Sequence, residues 1–182
     1  MIVRIRRKSR KLVGIVPEQA LERRMWLVWV PLVVLWATLP WLAQRHATGL
    51  LALPEFAGGS AVYGGVRLGA ALVAVVCLVQ TIRCWIRMGS DWRMEASRDN
   101  TKLITDGLFR HVRHPIYAFS VLLMLCSALI LPSLPMLAVA AVHVLLMNLK
   151  ARNEERHLLQ THGEDYARYL ARTGRFFPRL GR

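Results

Sequence analysis

Residues 113–150 read RHPIYAFSVLLMLCSALILPSLPMLAVAAVHVLLMNLK, and this stretch decides the fold. It holds two uncharged apolar runs, Ile116 to Leu131 and Leu134 to Leu149, which meet at Pro132-Ser133-Leu134-Pro135. Crossing a hydrocarbon core takes roughly 20 helical residues, with about 17 as the lower limit. Each run is about a residue short of that limit, so the pair reads as a tight helical hairpin whose ends borrow flanking residues. Upstream lie two longer runs, Met25 to Ala43 and Val62 to Ile82, the second interrupted only by Arg67 and Gln80. The expectation is an all-α polytopic membrane protein with about four transmembrane helices.

Composition supports this reading. The 182 residues are 54% hydrophobic, yet the formal net charge is +14. Both facts fit if apolar runs are flanked by basic segments. Of the 25 Lys and Arg, 23 fall in residues 1–24, 83–115 and 150–182. A four-span topology puts all three segments on one side, and the excess of cations predicts that side to be the cytosol. Both termini are then cytosolic, in an inner (plasma) membrane. The organisation expected is a basic segment over 1–24, two membrane helices over 25–86, and a core over 87–182.

The same charge map argues against nucleic-acid binding. Here the cations are juxtamembrane and accompany no groove-reading motif, so anionic lipid headgroups explain them better. The first apolar run is too long for a signal-peptide core and is followed by no small-residue cleavage site. Cys77, Cys84 and Cys126 lie inside apolar spans without metal or disulfide spacing, and read as packing residues. No metal site is expected. Gly65 and Gly69 form a small-xxx-small pair, with Ala70 and Ala74 continuing small residues along the helix, which predicts close helix contact, within the bundle in preference to a homo-oligomer.

Chemistry concentrates in the two long basic-side segments. Pro115 suits a first helical turn, and it pushes His114 towards extended geometry. His114 and Tyr117 are thereby held at a helix N-terminus, where free N–H groups and the dipole favour a carboxylate. Lys150 and Glu154 are four apart and share a helix face. An amphipathic segment with Leu158, Tyr166, Tyr169 and Leu170 is suited to lying on a membrane surface.

Taken together, Leu103-Ile104-Thr105-Asp106-Gly107-Leu108-Phe109, the RHPIY motif, Glu154-Glu155, Leu158, Gly163, Tyr166, Tyr169 and Arg175-Phe176-x-Pro178 resemble one family. It is the isoprenylcysteine carboxyl methyltransferase family of integral-membrane methyltransferases, which includes phospholipid N-methyltransferase-like members. The resemblance covers roughly residues 87–178 and implies an S-adenosylmethionine pocket closed by the two basic-side segments. By position, Thr101, Lys102, Leu103, Ile104, Phe109, His114, Pro115, Ile116, Tyr117 and Glu154 would surround the cofactor. Lys150 would face the acceptor, a lipidic or membrane-partitioned molecule, with carboxyl O-methylation favoured. Two departures stand out: Lys150 replaces an Arg, losing a planar fork suited to a carboxylate, and Phe119 replaces a small residue. Sterol reductases, which use NADPH, share an RHP-containing segment but carry Asn where this chain has Ile116. A non-catalytic membrane scaffold is the third reading.

Overall fold

The computed structural model of the protein describes residues 20–46, 48–88 and 103–179. Five α-helices follow in chain order: α1 (Ala20–Arg45), the short α2 (Glu55–Gly59), α3 (Ala61–Met88), α4 (Pro115–Ile130) and α5 (Leu134–Arg172). Single 3₁₀ turns at Gly49–Leu51 and Gly107–Arg110 join them, and no strand occurs among the described residues. The four apolar runs thus become α1, α3, α4 and the first part of α5. The chain is an all-α membrane protein.

Three helices are long and apolar enough to cross a bilayer: Arg23–Arg45, Ala61–Cys84 and Leu134–Arg172. The 16 residues of α4 rise only about 24 Å against a hydrocarbon core of about 30 Å, so α4 is the short member of its hairpin. Ser133 N–H donates to Leu131 O at 2.9 Å, which closes the turn between α4 and α5. A belt of exposed apolar side chains surrounds the bundle, among them Val34, Leu72, Val76, Leu125 and Leu145. A water-soluble monomer does not expose such a surface, whereas lipid covers it at no cost.

In the bundle α3 packs on α4, α4 on α5, and α5 on α1. The core lies where α1 and α4 both meet α5: Leu32 and Leu39, Met124 and Ala128, then Met136, Val139, Ala140, Leu146 and Met147. Inward residues of α3 follow alternating steps of four and three: Tyr63, Arg67, Ala70, Ala74, Cys77, Thr81 and Cys84. That spacing keeps one stripe of a nearly antiparallel helix facing its partner. Cys77, Cys84 and Cys126 are buried and unlinked, as packing residues should be.

The glycine expectation needs correction. A Cβ added at Gly65 or Gly69 would meet nothing within 4 Å. The pair lies on the open side of α3, and within the bundle the expected contact falls to Ala70 and Ala74. The reason is register, because Arg67 must point inward. Its Nε donates to Ile130 O at 3.1 Å while Tyr63 Oη donates to Leu129 O at 2.6 Å. Those carbonyls are among the last of α4, where no intrahelical donor remains and a cation meets the negative end of the dipole. The lone arginine inside a membrane run is therefore a cap on its neighbour.

A second correction concerns α5. The sequence reading put Lys150 and Glu154 on one helix face and took the segment with Leu158, Tyr166, Tyr169 and Leu170 as suited to a membrane surface. In the structure the helix continues unbroken past Glu155 to residue 162, about 43 Å from Leu134, and a second helical stretch follows to Arg172. Its apolar part ends near Leu149, and the following turns carry Lys150, Glu154 and Glu155 out of the apolar layer. The helix is interrupted at Gly163 (φ 52, ψ −124), a region essentially restricted to glycine. Beyond the kink Tyr166 and Tyr169 are buried against the protein rather than laid on a lipid surface.

Candidate functional site

At the basic end of the bundle, α4 begins where the sequence reading put it. Pro115 takes the first helical position, and His114 before it is non-helical (φ −122, ψ 66) with no side-chain cap on the helix. The chain after α5 returns to hold this corner. Val112 and Gly174 form a parallel bridge, Arg113 N–H donates to Gly174 O at 2.9 Å, and His114 N–H donates to Arg175 O at 3.1 Å. Residues 173–176 thus act as a strap across RHP. Its bend needs glycine, because a Cβ at Gly174 would fall 1.7 Å from Phe177 O.

Glu155 is the hub of the corner. It accepts from Arg113 Nε at 3.0 Å and from Arg175 through Nε at 3.0 Å and Nη2 at 2.6 Å. His114 Nε2 stands 3.4 Å from the same carboxylate. Burial alone would raise the Glu155 pKa, but the adjacent His114 and hydrogen bonds from Arg175 and Arg113 outweigh it and hold the carboxyl well below the usual range. Arg175 is pushed further up by its hydrogen bonds with Glu155, and its Nη1 reaches Asn148 Oδ1 at 3.0 Å. Arg113 Nη1 continues the network to the Leu170 and Thr173 carbonyls. Nearby, burial raises the Tyr169 phenol to about 12, which keeps it a donor to the Phe109 carbonyl.

Glu154 faces the next side of the helix. Its Oε2 accepts from Tyr117 Oη at 2.9 Å and lies 3.6 Å from His114 Nδ1. The Tyr117 and His114 rings stack at 5.3 Å and 5°, with the Phe176 ring edge-on to His114 at 6.5 Å. Glu154 is about a third exposed and Lys150, one turn earlier, is half-buried. Two guanidinium groups and two carboxylates therefore meet an aromatic stack at the start of α4, with acid and base in balance.

Of the residues expected around a cofactor, His114, Pro115, Tyr117 and Glu154 come together, with Ile116 half-buried beside them. Leu103 and Ile104 are half-buried in the lead-in coil, and Thr101 and Lys102 lie outside the described residues. Phe109 lines an open cavity of about 480 Å³ with Gln80, Arg83, Ile86 and Leu108, and its carbonyl accepts from Tyr169. The sequence reading named Glu155, Arg113 and Arg175 as motif letters but gave them no role in the site. A signal was available, since a buried Glu needs cations and two Arg stood in the same motif set.

Comparison with known proteins agrees with this geometry. The profile of the phospholipid methyltransferase family matches residues 66–165, a stretch running from α3 through Glu154 and Glu155. Over 85 residues, 47% of this chain, it is 34% identical to the cobalt-zinc-cadmium resistance protein CzcN of Cupriavidus metallidurans. Over a stretch of the same length it is 31% identical to the nickel-cobalt-cadmium resistance protein NccN of Alcaligenes xylosoxydans xylosoxydans. These matches cover only 39% and 40% of the relatives' lengths. The family match takes in more than half of the chain, both RHPIY and the paired glutamates included, so the chain belongs to the phospholipid methyltransferase family.

Proposed function

We propose that this protein transfers a methyl group from S-adenosylmethionine to a lipidic or membrane-partitioned acceptor at the cytosolic face of the plasma membrane, with carboxyl O-methylation the favoured chemistry. The observation that carries the reading is the convergence of Tyr117, His114 and Glu154 at the uncapped N-terminus of α4. S-adenosylmethionine presents an ammonium, a carboxylate, a sulfonium and hydroxyl-bearing adenosine. The residues present fit that set. First-turn N–H groups of α4 and the helix dipole suit the carboxylate, the Glu154 carboxylate suits an ammonium or ribose hydroxyl, and aromatic faces suit a cation.

When bound, the cofactor supplies an electrophilic methyl group. The chain's own part is alignment and exclusion of water. Glu155, locked by Arg113 and Arg175, holds the RHP corner and the strap in register, so that His114, Tyr117 and Glu154 keep their positions. Lys150 sits one helical turn closer to the apolar layer, where it meets the head of an acceptor still anchored in lipid. The open sides between helices allow that acceptor to arrive laterally while the polar donor arrives from water. The two relatives are named for metal resistance, which we read as a physiological setting for the methylated product. The described polar cluster pairs carboxylates with arginines and a histidine instead of turning them on a metal ion.

Calorimetric titration of the purified protein with S-adenosylmethionine tests the reading. Tyr117→Phe and Glu154→Gln should each weaken binding about ten-fold, the worth of one charge-assisted hydrogen bond. Lys150→Ala should leave that affinity intact and slow methyl transfer by roughly ten- to a hundred-fold. Wild-type affinity in both site variants would reduce the cluster to a structural anchor.

A further inference from the structure

None of His114, Tyr117, Lys150 and Glu154 lines the cavity of about 480 Å³ at the basic end of α3. Its volume falls within the range of small-molecule sites, about 300–1,000 Å³. One wall is apolar, built from Ile86, Leu108 and the buried Phe109. The other carries the half-buried Gln80 amide and the exposed Arg83 guanidinium. Neither of these polar side chains has a hydrogen bond or ion pair among the described residues. No carboxylate lines the cavity. An unpaired guanidinium with an amide beside it and no acid opposite suits an anion.

Depth and flank narrow the anion. Arg83 is the last residue but one of the apolar span Ala61–Cys84, so its guanidinium stands where hydrocarbon gives way to headgroups. Ile86 and Leu108 of the lining are exposed, as side chains that face lipid are. An anion at that level with an apolar flank is a lipid phosphate and the first part of its tails. An amine headgroup would bring an ammonium into a lining that has no acid to receive it, so the headgroup that fits is net anionic, of the phosphoglycerol type. The cavity is also tied to the RHP corner. Phe109 belongs to the 3₁₀ turn Gly107–Arg110, and its carbonyl accepts from Tyr169 Oη. Tyr169 O accepts in turn from Thr173 N–H and Oγ1, where the strap begins. Two residues beyond the turn, Val112 bridges to Gly174.

We infer that this cavity binds an anionic phospholipid that is not itself methylated, its phosphate held by Arg83 and Gln80 and its upper tail by Ile86, Leu108 and Phe109. The bound lipid bridges α3 and the 3₁₀ turn, and so steadies the lead-in to RHP. The cofactor site, which rests on the methyltransferase reading, then responds to the charge of the membrane. By reciprocity, bound cofactor strengthens lipid binding by the same factor.

The test is native mass spectrometry of the full chain in detergent with phosphatidylglycerol or phosphatidylethanolamine of the same acyl chains. Wild type should retain phosphatidylglycerol about five- to tenfold better, the worth of one charge-assisted hydrogen bond at an exposed arginine. Arg83→Gln should erase that preference, and Arg83→Lys should keep most of it. Arg110→Gln removes an exposed cation of the same turn that does not line the cavity, and should leave the preference whole. Both positions are exposed, so neither change threatens the fold. Equal wild-type binding of the two lipids, or the same loss in Arg110→Gln as in Arg83→Gln, overturns the site in favour of diffuse attraction to headgroups. Displacement by millimolar glycerol phosphate would reassign the cavity to a soluble anion and overturn the lipid. Calorimetry in nanodiscs reads the coupling. S-adenosylmethionine should bind several-fold tighter in phosphatidylglycerol than in phosphatidylcholine, and Arg83→Gln should lose the difference. Equal affinity in the two membranes refutes the coupling. Binding in neither refutes the methyltransferase reading, and the lipid preference still decides the site. Labelled methyl appearing on phosphatidylglycerol would make it the acceptor and overturn the accessory role.

Discussion

Glu155→Gln is the sharpest perturbation the site offers. The carboxylate is 9% exposed and is held by three close contacts from Arg113 and Arg175. Removing one partner of a buried ion pair typically costs about 3–5 kcal/mol, because the remaining charge is left uncompensated. Two features place this case at the lower end, about 3 kcal/mol: the Arg175 side chain is 30% exposed, and glutamine keeps one carbonyl acceptor. The loss should appear in reversible unfolding of the detergent-solubilised protein at about pH 6. The sign of its pH dependence follows from the depressed pKa. A carboxylate held below its unfolded value, near 4.3, contributes fully above that value, and the contribution drains away as pH falls towards the folded pKa. The gap between wild type and Glu155→Gln should therefore narrow when the measurement is repeated near pH 3. A variant within about 0.5 kcal/mol of wild type at pH 6, or a gap unchanged by acid, would refute the hub role.

Gly174→Ala should detach the strap, since its Cβ would collide with Phe177 O; faster proteolytic cleavage beyond residue 172 with α1 to α5 intact is the expected readout. Two of the four tyrosines, Tyr166 and Tyr169, are pushed up by burial. Absorbance titration should show a late phenol component near 12 that Tyr169→Phe deletes. Because that folded pKa is raised, the stability tied to the neutral phenol is whole below about pH 10 and lost as pH rises through 12. Arg67→Met should cost about 1–2 kcal/mol by stripping the α4 C-terminus of its cation, seen in the same unfolding assay. Reporter fusions should place both termini in the cytosol and a tag at residues 132–135 outside; a C-terminus outside would split the proposed site across the bilayer.

The membrane helices were legible because apolar runs and cations are one-dimensional signals. Each of the four runs lies within or along a helix of the structure, and the Pro115 start of α4 was readable from proline chemistry alone. The glycine pair misled because small residues mark a possible contact without saying which side of a helix is turned inward; the capping duty of Arg67 decided that. The α5 extension past Glu155 was missed because the helix passes there from apolar to charged residues without a break, which comes only at Gly163. At the site, RHPIY and Glu154 could be paired by resemblance. Adjacent glutamates point about 100° apart on a helix, so only the packed structure shows that Glu155 turns to the two arginines and Glu154 to Tyr117.

The strap has a consequence for biosynthesis. Residues 173–176 supply the backbone acceptors for Arg113 and His114, and Arg175 supplies half of the cationic hold on Glu155. They are synthesised after every membrane helix. During translation the paired glutamates leave the ribosome before the arginine that locks one of them, and the RHP corner waits through some sixty residues for its closure. Long-range contacts of this kind form late. Insertion into the bilayer is thus completed while the RHP corner is still open, and a nascent chain cannot assemble the full corner before its helices have found their places.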